Sequence, residues 1–390
     1  MAAARTPIEA AVALASLSTI GPRRFTAVVR AFGFVGAWER VGRRALLSTP
    51  EVAKVLGAKA GEVQDQWARE WRAIAPGELL DAHHRAGVAV TIFGDDCYPS
   101  ALAADVEPPM VLFSLGELDA IRGRRVAIVG TRRCTRGGRL TALEMARGHA
   151  GEGVSVVSGL ALGIDGAAHE GVLAATGGAP PIGVVGTGLD VVYPRRHHQL
   201  WETVAARGVL LSEVPIGGGA LPWRFPARNR IIAALSEVVV VVESHATGGA
   251  LHTVDEALRR DHTVLVVPGS VRSAASVGTN TLLHDGLGPA RDARDVLVAL
   301  GSGVGEASAA GSEDEPASTT PATPLPGLGQ DRVDPADAAV LAHLGGEPVS
   351  IDHLAAATGL ELGDLAVRLI RLEQQGAVSR SGSWIEGARR

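Results

Sequence analysis

The stretch VAIVGTRRCTRGG at residues 126–138 joins a short β-branched run to a turn rich in arginine and glycine. Five further blocks combine apolar runs with polar or glycine-rich turns in the same way. Repeated strand–helix units of this length predict an α/β fold with a mostly parallel sheet. Ligands of such sheets bind at the carboxyl ends of the strands, so the turns indicate function. The five blocks are VSGLALGIDGAAH (157–169), VVGTGLDVVYP (184–194), FPARNRIIAALS (225–236), EVVVVVESHATGGALHT (237–253) and VLVVPG (264–269).

The pattern also predicts where the elements of this sheet lie. A first strand, VTIFG, precedes a segment up to residue 116 that two X-Pro pairs predict to be an extended connector. The predicted strands that follow lie near 125–130, 154–158, 182–187, 209–213, 237–243 and 263–268. The predicted helices lie near 137–151, 164–176, 197–206, 226–235, 248–260 and 292–300.

Residues 1–87 are predicted to form an N-terminal helical domain. Apolar residues recur at helical spacing in 8–17, 25–32, 46–56 and 67–82, with breaks at Gly21-Pro22 and around Gly33. The arrangement resembles helix-hairpin-helix or sterile-alpha-motif bundles. It is interpreted either as a packing or dimerisation domain, which we favour, or as a module that contacts the DNA backbone through a glycine turn.

The C-terminal part is predicted to contain a linker and a second small domain. Residues 301–330 are rich in Ser, Ala, Pro, Thr and Glu and poor in large apolar side chains, which predicts a flexible linker. In 331–390 three helices, a tight turn at Thr358-Gly359-Leu360 and a two-stranded hairpin follow each other, which is the order of a winged helix. This domain is acidic, and its third helix carries Glu361, Asp364 and Glu373, so we expect a protein-interaction or regulatory role rather than strong duplex binding.

Charge and cysteine content narrow the class of protein. Residues 122–300 hold 19 arginines and 15 acidic residues, a net charge of +4 within a chain of net charge −5. A basic module of this kind favours a polyanionic partner. Cys97 and Cys134 are far apart without a Cys-x-x-Cys, so neither a disulfide nor a metal site is expected. The N-terminus lacks the pattern of a signal peptide and no apolar run is long enough for a membrane span, so we expect a cytoplasmic protein.

The turn that opens with Gly130 is predicted to bind phosphate. Gly137-Gly138 begins the next helix, whose N-terminus would offer free N–H groups, and Arg132, Arg133 and Arg136 supply full charges. The glycine spacing is not Gly-x-Gly-x-x-Gly, which disfavours a dinucleotide cofactor. Guanidinium groups bind phosphodiesters in a bidentate fashion, so a nucleic-acid backbone is the favoured ligand.

Two further motifs carry polar groups at predicted helix starts. Asp165 and His169 stand four residues apart and form either an acid–base pair or, as we favour, a structural cap without catalytic function. Arg228 and Arg230 flank Asn229 ahead of an apolar helix, where they require an anion. Glycine-rich turns at Gly248-Gly249 and Pro268-Gly269, with Asn280 further on, complete the candidate rim.

These blocks together resemble the DNA-processing protein A (DprA/Smf) family. The likeness covers about 90–300 strongly and includes Gly130-Thr131-Arg132, the block from Ser158 to His169, Tyr193-Pro194, Arg228 to Ala233, Thr247-Gly248-Gly249 and Val267-Pro268-Gly269. Two departures are Thr131 and Thr247 in place of the usual serines. A third is His197, which stands where the family usually has Asn.

The resemblance implies a non-enzymatic protein without a cofactor. It implies an extended Rossmann-like domain, at 88–300 here, that binds single-stranded DNA, forms a homodimer and loads RecA recombinase onto the strand in natural transformation. Arg132 would contact phosphate, Arg228 and Arg230 would line or shape the pocket, and Tyr193 and His197 are candidate stacking platforms. The candidate DNA-binding residues are Gly130, Thr131, Arg132, Arg133, Arg136, Ser158, Gly159, Gly163, Tyr193, His197, Arg228, Asn229, Arg230, Gly248, Gly249, Gly269 and Asn280.

Two other classes of protein stay open at this point. The run from Gly248 to Glu256 resembles the Gly-Gly-x-Gly-Thr-x-x-Glu signature of nucleoside-monophosphate phosphoribohydrolases, but it has an extra residue and lacks the third glycine. A winged-helix regulator with a nucleotide-sensing core is the other alternative. Release of free base from AMP would favour the first, and selective binding to one duplex site would favour the second.

Overall fold

The computed structural model of the chain divides into two compact units, Met1–Ala309 and Ala310–Arg390. Most of the predicted linker lies outside the described residues, and the predicted domain boundaries stay predictions. Within the described part of the chain, no helix is long and apolar enough to cross a membrane. The structure describes residues 4–301, 334–344, 349–374, 377–381 and 384–387.

The first unit begins with a bundle of helices, as the apolar spacing predicted. Gly33 has a φ of +66° and kinks the second helix at the predicted turn. The predicted helix at 67–82 is two helices, because Pro76 starts a new one and the residue before a proline avoids helical geometry. The helices are α1 (Pro7–Ala15), α2 (Gly21–Gly42), α3 (Pro50–Leu56), α4 (Ala60–Trp71) and α5 (Pro76–Arg85).

A nine-stranded, mostly parallel sheet follows, which confirms the predicted fold class. Its strand order is β1-β2-β6-β5-β4-β3-β7-β8-β9. The strands are β1 (Ala89–Ile92), β2 (Val111–Gly116), β3 (Arg125–Val129), β4 (Ser155–Ser158), β5 (Ile182–Val184), β6 (Val209–Ser212), β7 (Val238–Val241), β8 (Thr263–Val266) and β9 (Gly288–Pro289). The accompanying helices are α6 (Ser100–Ala103), α7 (Arg136–Gly151), α8 (Ile164–Leu173), α9 (His198–Arg207), α10 (Arg224–Leu235), α11 (Leu251–Leu258), α12 (Val277–His284) and α13 (Ala293–Ala299).

The side on which successive strands are added to the sheet changes at β3. Strands β4, β5 and β6 are added on one side of β3, and β7, β8 and β9 are added on the other. The connections after β3 and β7 therefore separate at this point and leave a crevice at the carboxyl ends of the two strands. Open α/β sheets bind ligands at this kind of switch point.

Helices cover both faces of the sheet. Val126 and Ile128 of β3 pack with α7 and α8, whereas Ala127 and Val129 pack with α10 and α11. A third cluster joins the N-terminal helices to the β2–β6 side of the sheet through Phe113 and other buried residues. The helical bundle and the sheet therefore share one core within the first unit.

The strand β2 corrects the prediction of an extended connector before residue 116. Residues 111–114 of this strand are buried and pair with β1 on one side and β6 on the other, both in the antiparallel sense. Pro108 and Pro109 precede the strand and do not interrupt it, because proline is tolerated ahead of a strand. The helix α12 was also missed, because two glycine-containing turns surround its short sequence.

The second unit has the predicted winged-helix order. Leu354, Leu365, Leu369 and Ile385 are buried in its core, and Gly359 makes the predicted turn with a φ of +68°. Its strand order is β10-β12-β11. The elements are α14 (Pro335–Ala342), β10 (Val349–Ser350), α15 (Ile351–Thr358), α16 (Leu362–Gln374), β11 (Val378–Ser381) and β12 (Trp384–Gly387).

His83 connects the helical bundle to the sheet. Its ring stacks on Phe113 of β2 with centroids 4.9 Å apart, and its Nδ1 lies 2.8 Å from the carbonyl oxygen of Leu79. The backbone N–H of Ile216 donates to Nε2 over 3.1 Å. Because that N–H can only donate, Nε2 is unprotonated and His83 is a neutral imidazole with its proton on Nδ1. Burial lowers the pKa of His83, although the Leu79 carbonyl and Asp190 oppose this shift.

We expect the stability of the first unit to fall as the pH falls below about 6.5, the ordinary histidine pKa. The unfolded chain then takes up a proton that folded His83 resists, so the neutral-state stabilisation present at higher pH is lost on acidification. His83→Gln keeps a hydrogen-bond donor and an acceptor but does not titrate. Between about pH 7 and 5 its unfolding free energy should therefore change less with pH, and the slope should correspond to roughly one proton fewer than in the native chain. Urea denaturation across this range measures both slopes, and equal slopes would contradict the assignment.

Candidate nucleic-acid interface

An open cleft of about 570 Å³ lies at the carboxyl ends of β3 and β7, where the topology places a ligand site. We call it the β3–β7 cleft. Its walls come from the turn after β3, the turn after β7, the segment 222–226 and the start of α10. The predicted site residues that line it are Gly130, Thr131, Arg132, Arg133, Tyr193, Arg228, Asn229, Gly248 and Gly249.

Two exposed arginines supply charge to one wall of this cleft. Arg132 and Arg133 follow β3 directly and are exposed, and neither forms an ion pair with an acid in the described part of the chain. The Arg133 backbone N–H donates to Thr131 Oγ1 over 3.2 Å, which holds the turn in place. The threonine hydroxyl thus serves a structural role in the loop. Both guanidinium groups are available to a phosphate.

An aromatic pair stands beside these arginines. The Tyr193 and Phe225 rings lie 5.2 Å apart between centroids, at an angle of 38°, and Tyr193 is 41% exposed. The Arg132 guanidinium carbon lies 5.4 Å from the Phe225 ring centroid, within reach of a cation–π contact. Phe225 was not predicted as a site residue, although an aromatic residue directly before Pro-Ala-Arg-Asn-Arg is a signal that the sequence contains. A charged group over a partly open aromatic pair suits a ligand with both phosphates and planar bases.

Arg228 forms the floor of the cleft. It is buried on α10, and its guanidinium donates to the carbonyl oxygen of Val184 and lies directly against Gly159. A Cβ at residue 159 would overlap the guanidinium, so this position requires glycine for close approach. Burial lowers the pKa of Arg228 to about 10, while the nearby Asp165 opposes this shift, so the side chain stays charged at neutral pH. Gly159 and Arg228 also line a small pocket next to the cleft.

Arg230 does not line this cleft, contrary to one part of the prediction. Its Nη2 lies 2.5 Å from Glu213 Oε1 in a buried ion pair, and its Nη1 donates to the carbonyl oxygen of Glu107 over 2.8 Å. The two arginines are two positions apart on α10, and residues at that spacing point to opposite sides of a helix. Arg230 therefore packs behind the cleft and does not meet a ligand within it.

The helix start at Gly137-Gly138 is not a free phosphate site, which corrects the prediction for that motif. The Glu243 carboxylate accepts from the Thr135 backbone N–H over 2.8 Å and from Thr135 Oγ1 over 2.6 Å. Thr135 Oγ1 in turn caps the N–H of Gly138 over 3.0 Å. An acidic side chain of the protein thus occupies the positive end of α7. Arg136 in the first turn of α7 is exposed and does not line the cleft.

The remaining predicted residues stabilise the turns around the cleft. Ser158 Oγ is buried and donates to the carbonyl oxygen of Ile128 over 2.6 Å. Gly163 has a φ of +81° and approaches the backbone of Thr131, where no side chain fits. The other contacts are His197 Nδ1 to the Leu160 carbonyl oxygen at 2.9 Å, Asn229 Nδ2 to the Gly249 carbonyl oxygen at 3.3 Å, and Asn280 Nδ2 to the Gly269 carbonyl oxygen at 3.1 Å.

The motifs that suggested catalysis have structural surroundings. His169 is fully buried, and burial lowers its pKa to about 4, so it is neutral and closed to a substrate. Asp165 borders the cleft, and burial raises its pKa while Arg228 opposes this shift. Glu256, the acid that the phosphoribohydrolase alternative needs, does not line the cleft. It accepts from Arg260 Nη1 over 2.5 Å instead.

The helix that would read duplex DNA in the second unit has its arginines paired. Arg368 of α16 lies 2.7 Å from Asp337 and 3.0 Å from Asp334, and Arg371 lies 3.7 Å from Asp337. These acids belong to α14 or to its N-cap. Arginines held in ion pairs are less available to phosphates, which agrees with the acidic composition of this domain.

Comparison with known proteins assigns the family. Residues 89–301 match the family described as DNA recombination-mediator protein A, and residues 315–382 match the DprA winged helix domain. The chain belongs to the DNA processing protein A (DprA/Smf) family. The match to the central domain begins at β1 and ends after α13, so it includes every wall of the cleft.

Members of the DprA/Smf family from several bacteria resemble the chain over most of its length. Protein Smf of Synechocystis is 34% identical over 326 residues, covering 78% of this chain and 81% of that protein. The putative DNA processing protein DprA of Mycobacterium tuberculosis is 36% identical over 376 residues, covering 93% and 90% of the two chains. The second match covers so much of the chain that it extends beyond the sheet into both flanking regions.

Two solved structures of DprA have the same fold. The X-ray structure of DprA from Streptococcus pneumoniae matches with a TM-score of 0.61 and 30% identity, covering 74% of this chain and 97% of that one. DNA processing protein A from Helicobacter pylori, whose structure was reported for its single-stranded DNA binding mode, matches with a TM-score of 0.50 and 28% identity. That match covers 55% of this chain and 96% of the Helicobacter chain.

Proposed function

We propose that the β3–β7 cleft binds single-stranded DNA. The observation that carries this proposal is the combination of two unpaired exposed arginines, Arg132 and Arg133, with the Tyr193–Phe225 ring pair at the switch point of the sheet. The arginines suit the phosphates and the rings suit unpaired bases. Duplex DNA keeps its bases stacked inside the helix, so only a single strand can offer them to the rings. The Helicobacter relative reported to bind single-stranded DNA supports the same assignment.

The predicted residues that line the cleft, together with Phe225, then have proposed roles. Arg132 and Arg133 contact phosphates, and Tyr193 and Phe225 receive a base. Arg228 supplies a fixed positive charge from the floor, because its contacts with Val184 and Gly159 hold it in one position. Gly249 leaves its backbone accessible to the strand, whereas a Cβ at Gly130 would meet Ile164 and one at Gly248 would meet Ser244, so these two glycines allow close packing of the turns that form the cleft.

We also propose the finer activities that membership of the family implies. The protein acts in the cytoplasm as a homodimer formed through the Rossmann-like domain and delivers RecA recombinase to the bound strand. It makes and breaks no covalent bond. The buried His169 and the ion-paired Glu256 support this, because neither side chain can act on a ligand in the cleft.

Competition binding tests the proposal. A labelled oligo-dT bound to the full chain should be displaced by unlabelled single-stranded DNA at concentrations about a hundredfold or more below those needed for duplex of the same length, because a duplex can offer the cleft only its phosphates. The same preparation incubated with AMP should release no free base. Equal competition by duplex, or release of base that Glu256→Ala abolishes, would contradict the proposal.

A further inference from the structure

A second depression, larger than the β3–β7 cleft, lies on the other side of the segment 222–226. Its volume is about 1,120 Å³, and we call it the Trp223 groove. Trp223 is 43% exposed and Val55 of α3 is 40% exposed, so the groove presents apolar surface to solvent. Its lining includes Arg23 and Arg24 of α2, Lys54 of α3, Trp223, Pro226 and Arg259 of the segment after α11.

The residues that line the groove carry a net charge of +2, because five basic residues face three acids, Glu51, Glu107 and Glu256. Arg259 lies 3.1 Å from Glu256 and 3.8 Å from Glu107, and Arg230 is paired with Glu213. Within the described residues, the exposed side chains of Arg23 and Lys54 have no ion pair or hydrogen bond. Arg24 donates to the carbonyl oxygen of Thr19 over 3.0 Å, which leaves its charge uncompensated.

The position of two of these cations is unfavourable for the helix that carries them. Arg23 and Arg24 stand in the first turn of α2, which contains no acidic residue. The N-terminus of a helix carries a partial positive charge, so cations in the first turn repel it. An anion bound in the groove would remove this repulsion. Arg23 and Arg24 thus give the groove positive charge that a bound polyanion would neutralise.

The groove adjoins the cleft. Pro226 lines both depressions, and Pro222 of the cleft is adjacent in sequence to Trp223 of the groove. A volume of about 570 Å³ is of the size that encloses one small molecule. A polynucleotide held in the cleft must therefore leave it, and one route out of the cleft crosses the segment 222–226 into the groove.

We propose that a single DNA strand bound in the β3–β7 cleft continues across residues 222–226 into the Trp223 groove. There Trp223 stacks on a base, and Arg23 and Lys54 contact phosphates. The N-terminal helical bundle thereby becomes part of the DNA-binding surface and lengthens the site. This inference rests on the proposed function of the cleft.

A length series of oligo-dT tests the groove separately from the cleft. Lengths of about 5 and about 16 nucleotides fall near the two ends of the site sizes known for single-strand-binding OB folds. The double variant Arg23→Ala/Lys54→Ala should bind the short oligonucleotide as the native chain does and the long one about tenfold more weakly. For the long oligonucleotide, the slope of log affinity against log salt concentration should fall by the equivalent of about one to two phosphate contacts. Trp223→Ala should weaken the long oligonucleotide alone, by about fivefold or more.

The control variant is Arg30→Ala/Lys59→Ala, which removes the same charges from exposed positions of the same helical bundle outside the groove. It should bind both lengths as the native chain does. Arg132→Ala should weaken both lengths. If Arg132→Ala weakens both and the groove variants weaken neither, or no more than the control, the groove is not part of the site although the cleft is. If the native chain binds neither oligonucleotide, both proposals are wrong.

Discussion

Replacing Arg132 with alanine is expected to weaken oligo-dT binding by about 1–3 kcal/mol and to reduce the slope of binding against salt by about one phosphate. Arg132 is exposed, follows β3 directly and lies over the Phe225 ring at the mouth of the cleft. Its removal takes away a phosphate contact and the cation above the aromatic pair together. Fluorescence anisotropy over a range of salt concentrations measures both quantities.

The matched control for this prediction is Arg147→Ala. Arg147 is an exposed arginine on α7 that does not line the cleft, so its loss changes the net charge by the same amount. Its effect on affinity should be within about 0.5 kcal/mol of zero, as for ordinary surface substitutions. Because Arg132 is exposed, its replacement should not alter the unfolding free energy by more than that amount either. An unchanged affinity for Arg132→Ala across the salt range would remove this residue from the site.

The fold was predictable because its signals are local in the sequence. The β-branched runs that became β3, β4, β7 and β8 alternate with helices of ordinary length, and parallel sheets follow from that order. The same reasoning predicted a ligand site at the carboxyl ends of the strands, but it did not predict that β3 and β7 are neighbours, which is where the cleft lies. The antiparallel strand β2 was missed because the prolines before it indicated a loop, whereas its burial between β1 and β6 is a property of the tertiary structure.

The candidate site was predictable in part. Arg132, Tyr193 and Arg228 do line one cleft, but the sequence predicted a free helix start at Gly138 that Glu243 occupies from more than a hundred residues away. No local pattern reveals such a contact. Arg228 and Arg230 appeared equivalent because both were placed at the start of a helix. The helix begins earlier, at Arg224, which puts both inside it and turns them to opposite sides.

Arg230→Ala is therefore expected to reduce stability rather than DNA contacts. Loss of Arg230 leaves Glu213 as a buried carboxylate without its partner, and breaking a buried ion pair in this way costs about 3–5 kcal/mol. The unfolding free energy, measured by chemical denaturation, should fall by about that amount. The fraction that remains folded should bind oligo-dT with the affinity of the native chain, whereas Arg132→Ala should show the reverse pattern.

The double variant Arg230→Met/Glu213→Leu is the control that separates the ion pair from the packing. It removes both charges and keeps most of the buried volume, so it should recover most of the stability that Arg230→Ala loses. If Arg230→Ala weakened oligo-dT binding as strongly as Arg132→Ala without a loss of stability, Arg230 would have to reach the strand directly, and its burial beside Glu213 would not represent the DNA-bound protein.

The pH dependence of the unfolding free energy of Arg230→Ala gives an independent check on the role of this ion pair. Burial raises the pKa of Glu213, and Arg230 opposes this shift in the native chain. Without Arg230 the pKa rises further, so folded Glu213 holds a proton that the unfolded chain has released. A carboxyl group whose pKa is raised on folding makes the folded state less stable as the pH rises, because folding then requires the uptake of a proton. The deficit of Arg230→Ala should therefore be largest near neutral pH and should shrink as the pH falls toward about 4.5, the ordinary range of a glutamate pKa.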